Sequence, residues 1–202
     1  DVLTEIDLNA VLALHRSRKA KATIVLTPVD NPTAYGLVET DADGNVQRFL
    51  EKPKADEITT HNINAGIYIL EPETFDRIPK DTPYSIERSY FPSLVERGET
   101  FVAYVYQGYW IDIGTPEKYL QVHRDILNGA FPVALNGSRQ AGGGVVHPEA
   151  QVDPAAELSG PFYIGPRCVI EAGASVGPGA VLVAGVRVAR GARVVDSVLW
   201  EG

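Results

Sequence analysis

Broken every six positions, residues 145–202 read VVHPEA QVDPAA ELSGPF YIGPRC VIEAGA SVGPGA VLVAGV RVARGA RVVDSV LWEG. The second place of each hexad holds Val146, Val152, Leu158, Ile164, Ile170, Val176, Leu182, Val188, Val194 and Trp200, and every one is apolar. The sixth place is mostly small, with Ala150, Ala156, Cys168, Ala174, Ala180 and Ala192 against the larger Phe162, Val186 and Val198. Gly and Pro gather in the places between, where they supply turns. An amphipathic helix needs a period near 3.6 and a half-buried strand needs alternation, so a period of six fits neither. It fits a parallel β-solenoid, in which each hexad is one short strand and one corner, and stacked coils bury a continuous apolar column. In such a column Cys168 is a small packing residue, and Trp200 is bulky for its place.

Upstream, residues 1–128 follow a different rule. Asp7 can cap a helix whose apolar positions Leu8, Val11, Leu12 and His15 share a face. ATIVLTPV (22–29) and INAGIYIL (63–70) read as strands by their apolar runs, and GLVET (36–40) and VQRFLEK (46–52) flank an Asp43-Gly44-Asn45 hairpin turn. Ser85 opens a helix through Val95, FVAYVYQGYWIDI (101–113) is strand-like, and Thr115-Pro116-Glu117 starts a helix that Gly129 ends. Strands alternating with helices imply an α/β fold with a mixed sheet. The expected organisation is an α/β portion over 1–128, a linker over 129–144 and a solenoid over 145–202. The chain begins at Asp1, and DVLTEIDL reads as the end of a strand entering a helix, which is the expectation for a domain cut in its middle.

Composition narrows the class of partner. The 202 residues carry a formal net charge of −8, which argues against nucleic-acid binding. An anionic ligand would need a local lysine or a metal ion. With one cysteine no internal disulfide can form, compatible with a reducing cytosol, and no apolar run is long enough to span a bilayer.

Four short pieces carry chemistry: Tyr35-Gly36, Glu51-Lys52-Pro53, Asn64-Ala65-Gly66, and Trp110-Ile111-Asp112-Ile113-Gly114-Thr115-Pro116. Singly each has a bland reading: a Glu-Lys pair ends many solvated strands, and a glycine within a strand often marks only a bulge. In this order they resemble the sugar-1-phosphate nucleotidyltransferases, which join a nucleoside triphosphate to a sugar phosphate and release pyrophosphate. FLEKP, INAGIYIL, SIER-x-x-FP and W-x-DIGTP together resemble the mannose-1-phosphate guanylyltransferase-like subgroup. The hexads resemble the left-handed β-helix that many members carry, with three hexads to a coil and so roughly three coils here.

The resemblance implies a Rossmann-like mixed sheet, of which 1–128 is the later, sugar-phosphate side. It implies Mg²⁺ held by Asp1 and Asp112, the two candidate catalytic residues. It also implies a sugar-phosphate site made by Gly36, Glu51, Lys52, Asn64 and Gly66. Glu51 would accept hydroxyl hydrogens, Lys52 would neutralise phosphate, Asn64 can donate and accept, and the two glycines would let main chain approach the sugar. The glycine-rich G-x-G-x-R-L loop of the family does not occur in this sequence, so the chain alone is expected not to turn over. The base stays open among guanylyl, thymidylyl, adenylyl, cytidylyl and uridylyl transfer, and the sugar is of mannose or glucose type. Two other readings remain: an assembly or regulatory subunit of the same fold, and a bifunctional enzyme whose solenoid transfers an acyl group through His147. The solenoid's regular flanks imply a homo-oligomer, and the lone Cys168 is compatible with the expected cytoplasmic location.

Overall fold

The computed structural model describes residues 1–201. Contacts divide them into two compact units: Val2–Trp110, and Asp1 with the residues from Ile111 onward.

The first unit contains β1 (Val2–Thr4), α1 (Leu8–Ser17), β2 (Ala22–Pro28), β3 (Gly36–Thr40), β4 (Val46–Glu51), β5 (Asn62–Leu70), α2 (Phe91–Glu96) and β6 (Phe101–Val105). A five-stranded mixed sheet has the order β4-β3-β5-β2-β6. β2 lies inside it, antiparallel to β5 and parallel to β6. Its residues Ala22–Thr27 are all buried, which explains an unbroken apolar run where a one-sided strand would alternate. Asp7 caps α1 by accepting from Asn9 N–H at 2.9 Å. Only Val11 and His15 of that helix are buried, and Leu8, expected on its inner face, is 60% exposed.

Two expectations needed correction here. The helix expected from Ser85 to Val95 is two pieces, a π-helix over Ile86–Tyr90 and α2. Pro92 explains the change: it has no N–H to give the carbonyl four residues back, and its ring crowds that turn. The backbone widens instead, and Tyr90 N–H reaches Ser85 O at 3.0 Å. FVAYVYQGYWIDI is likewise two strands, β6 and β7 (Trp110–Asp112), with an irregular stretch between them.

The second unit holds α3 (Pro116–Leu127), capped by Thr115, and then the solenoid. Its strands are β8 (Ser138–Arg139), β9 (Val145–Val146), β10 (Gln151–Val152), β11 (Glu157–Leu158), β12 (Phe162–Ile164), β13 (Val169–Ile170), β14 (Ser175–Val176), β15 (Ala180–Leu182), β16 (Arg187–Val188), β17 (Arg193–Val194) and β18 (Val198–Leu199). They form three sheets, β8-β9-β12-β15-β18, β10-β13-β16 and β11-β14-β17. From β9 onward all pairings are parallel. Gln151 pairs with Val169 and Val169 with Arg187, a step of 18 residues, or three hexads per coil. The stretch read as a linker carries structure: Ser138 and Arg139 pair antiparallel with Val146 and Val145 and so edge the first coil.

The column is packed as the hexads require. Ile164, Cys168, Ile170, Ala174, Val176, Ala180 and Leu182 are buried together. Phe162 is the one aromatic residue in the sixth-place column, and the residue one coil before it is Gly144. A Cβ on Gly144 would fall inside the Phe162 ring, so the glycine makes the space that the ring fills. The last coil breaks the count. Leu199 pairs with Leu182, a step of 17, because the corner over Val195–Ser197 is one residue short. Leu199 therefore takes the inner place that strict hexads assign to Trp200, and Trp200 is 65% exposed.

Candidate sugar-phosphate site

β3 and β4 form the hairpin that carries the first arm. Gly36 pairs with Glu51, and the next residue, Lys52, donates its N–H to Tyr35 O at 2.9 Å. A Cβ on Gly36 would lie 2.5 Å from Phe49 Cζ and 3.0 Å from Glu51 Oε2. The room left by glycine is thus taken by the Phe49 ring and the Glu51 carboxylate. That room lets the carboxylate lie across the strand. Glu51 is half-buried, and burial pushes its carboxyl above the ordinary range; Glu87 adds to the shift, while Lys52 and Arg88 oppose it. Lys52 is exposed and sits at φ +51.

The second arm is a bulge in β5. Ile24 of β2 pairs with Tyr68 and Leu26 with Asn64, so the single residue Val25 faces Ala65, Gly66 and Ile67. Such insertions re-aim side chains and main chain away from the sheet. Gly66 takes φ +80, a conformation that favours glycine, and is exposed. Its N–H donates to Asn64 Oδ1 at 2.9 Å, and Asn64 Nδ2 donates to Tyr68 OH at 2.8 Å. Asn64 therefore shapes the bulge first, and keeps one N–H and one lone pair for a ligand. The Tyr68 hydroxyl is held from ionising by burial, and Asn64 partly offsets this.

Asp1 and Asp112 lie together in the second unit. Ile113 N–H donates to Asp1 O at 2.6 Å, and the Asp1 main-chain nitrogen is 3.7 Å from Asp112 Oδ1. Lys118, in the first turn of α3, brings its Nζ to 3.9 Å from Asp112 Oδ2. Among the described residues no three His, Cys, Asp or Glu side chains gather as a metal cage built from protein alone would need. The contacts that join Asp1 to Asp112 are through the Asp1 main chain, and Mg²⁺ needs only one or two protein carboxylates when water and substrate phosphate fill its remaining places.

The structure thus places five of the seven sequence-derived residues in the first unit, on β3, β4, β5 and the residue just after β4, and the other two in the second. Sequence reading missed Tyr68, Glu87, Arg88 and Lys118. Tyr68 was accessible, because residues four apart on a strand share a face and Asn64 had been singled out. Glu87 and Arg88 lie in the SIER stretch used only for resemblance, and their place depends on the π-helix, which has no sequence pattern of its own. His147 is tied into the first coil, its Nδ1 accepting from Glu149 N–H and its Nε2 3.2 Å from Asn136 Nδ2.

Sheet order, the Glu-Lys hairpin end and the solenoid together define a nucleotidyltransferase-type fold. The nucleotidyl transferase family model matches residues 1–129, and the chain belongs to that family. It is 41% identical over 167 residues to mannose-1-phosphate guanylyltransferase of Mycobacterium tuberculosis, covering 82% of this chain and 45% of that protein. It is 35% identical over 183 residues to mannose-1-phosphate guanylyltransferase 1 of Arabidopsis thaliana (86% and 48% covered). It is 34% identical over 196 residues to UTP–glucose-1-phosphate uridylyltransferase of a Synechocystis strain (86% and 50% covered). The chain spans about half the length of the curated relatives it matches. A Bacillus anthracis crystal structure assigned as a glucose-1-phosphate thymidylyltransferase superposes with a TM-score of 0.52 at 21% identity, covering 60% of this chain and 49% of that one, a likeness of fold. Among the described residues no helix is long and apolar enough to cross a membrane.

Proposed function

We propose that the chain supplies the sugar-phosphate side of a sugar-1-phosphate nucleotidyltransferase acting on mannose 1-phosphate, with guanosine triphosphate as the partner substrate. The observation that carries this reading is the hairpin end at Glu51-Lys52. A half-buried acceptor for sugar hydroxyls stands there beside a mobile cation for phosphate, next to a glycine bulge with an open face. The identities to guanylyltransferases favour mannose and guanine over the glucose and uracil of the third relative.

In this reading the phosphate oxygen of the sugar attacks the α-phosphorus of the triphosphate, the new P–O bond forms in line, and the bond to the β-phosphate breaks to release pyrophosphate. Lys52 holds the sugar phosphate by charge, Glu51 and Asn64 fix the ring by its hydroxyls, and the Gly66 backbone lies against it. Orientation of this kind supplies much of the barrier lowering. A magnesium ion held by Asp1 and Asp112 would supply neutralisation of phosphate charge when bound. Lys118, with its Nζ 3.9 Å from Asp112 Oδ2, would steady that carboxylate.

The test is a matrix of nucleoside triphosphates against sugar 1-phosphates, scored by pyrophosphate release. It is run on the complete product of the gene that encodes this sequence and on this chain alone. Transfer by the complete product, greatest for guanosine triphosphate with mannose 1-phosphate, is expected. No release with any pair would overturn the assignment. Release by this chain alone would overturn the reading that it supplies only one side of the site. The assembly role stays attached to the solenoid, and a homo-oligomer in sedimentation is its expected sign. The acyltransferase reading is weakened by the engagement of both His147 nitrogens.

A further inference from the structure

The two arms of the candidate site belong to different strands, and each leaves regular strand geometry. Lys52 is in the left-handed region although it has a Cβ and precedes Pro53, which biases its predecessor toward extended conformations. Ala65 and Gly66 leave the regular ladder with β2. Conformations of this kind persist only where surrounding contacts over-determine them.

A single chain of contacts reaches both. Lys52 N–H is held by the carbonyl of Tyr35 at 2.9 Å. The Tyr35 ring meets Trp110 edge-on, with centroids 5.7 Å apart and planes at 73°. Trp110 Nε1 donates to the carbonyl of Ala65, at 3.0 Å, inside the bulge. A buried or half-buried carbonyl outside its ladder needs a partner, and the indole provides it. Each of these contacts is individually modest, and together they connect the two arms.

We propose that Trp110 is a positioning residue that ties the Glu51-Lys52 arm to the Asn64–Gly66 arm and so sets the spacing at which a sugar phosphate is gripped. This rests on the site assignment above. Trp110 touches neither reacting atom in this account; it acts through Tyr35 and through the Ala65 carbonyl.

Two variants test it in the complete gene product: Trp110→Phe, which keeps a ring and removes the N–H, and Tyr35→Leu, which keeps the backbone carbonyl and removes the aromatic edge. Each should raise the KM for mannose 1-phosphate about tenfold, the equivalent of about 1.4 kcal/mol, and leave the KM for the triphosphate unchanged. The double variant should fall well short of the product of the singles, because both cut one series of contacts. Equal rises in both KM values, or effects that multiply, would overturn the proposal. A second readout is independent of activity: amide hydrogen exchange at Lys52 and Gly66 should quicken in Trp110→Phe while amides of β2 keep their protection. Unchanged exchange at Lys52 and Gly66, or loss of protection throughout β2, would overturn the brace. If the unaltered protein transfers nothing, the functional reading falls and the exchange experiment still decides the brace.

Discussion

The two units use opposite means to the same end. In the solenoid nearly every residue repeats the role of one 18 positions away, and stability comes from a column that any coil could extend. In the sheet unit the informative residues are the irregular ones: a bulge in β5, a π-helix beside β4, and a lysine at positive φ before a proline. Periodicity builds a scaffold because each coil satisfies the next, and it leaves little that is unique for a ligand to recognise. Departures from regularity cost stability, and they collect where Glu51, Lys52, Asn64 and Gly66 come together.

This contrast can be broken most severely at the site. Lys52→Ala or Asp112→Asn in the complete gene product should lower kcat/KM by about 10²–10³-fold, the usual loss when one charge-stabilising group is removed. Either change should leave the thermal midpoint nearly unmoved, and steady-state kinetics with a melting curve checks both. In the solenoid the order is reversed. Phe162→Ala should cost about 3–5 kcal/mol by denaturant titration, and Gly144→Ala about 1–3 kcal/mol through overpacking against the ring. In the Phe162→Ala background the Gly144→Ala change should become close to neutral, since the ring it collides with is gone.

Glu51 sharpens the comparison through pH. Its carboxyl is raised above the ordinary glutamate value of about 4.3, chiefly by burial. The folded state thus binds its proton more tightly than the unfolded state, and stability falls as pH rises through the window between the two values. Glu51→Gln should therefore be as stable as the parent protein below that window and more stable above it, while losing affinity for the sugar phosphate. Equal stability at pH 7 would contradict the burial argument. The smallest effect belongs to Asp196, in the short corner of the last coil. Arg124 Nε donates to its carboxylate at 2.7 Å and holds that group below the ordinary range. Asp196→Asn should give a slight loss of stability that appears above the ordinary aspartate range and fades in high salt, because exposed pairs are weak and screened.

How legible each region was follows from the same difference. The hexads announced strand, corner, coil and core, and the structure places Ile164, Ile170, Val176, Leu182 and Val188 inside as the period demands. The failure at Trp200 came from one missing residue in a corner, which a fixed frame of six cannot register. In the sheet unit β2, β3 and β5 were readable from apolar runs and turn residues. The split of 85–95 into π- and α-helix was not, because it depends on what a single proline does to the turn before it. The candidate site residues were named by resemblance, and the structure adds local roles that the sequence did not show. Gly36 makes room for Glu51 and Phe49, and Asn64 spends two of its bonds holding the bulge. Such roles depend on side chains meeting across strands, and a linear pattern does not record those meetings.

The central claim, that the irregular places of the sheet unit form the sugar-phosphate grip, is tested most directly by titrating the ¹⁵N-labelled chain with mannose 1-phosphate. The account predicts amide shifts concentrated at Gly36, Glu51, Lys52 and Asn64–Gly66, abolished by Lys52→Ala, with the solenoid amides still. Shifts centred on the solenoid, or a sheet unit that ignores the ligand at millimolar concentration, would contradict it.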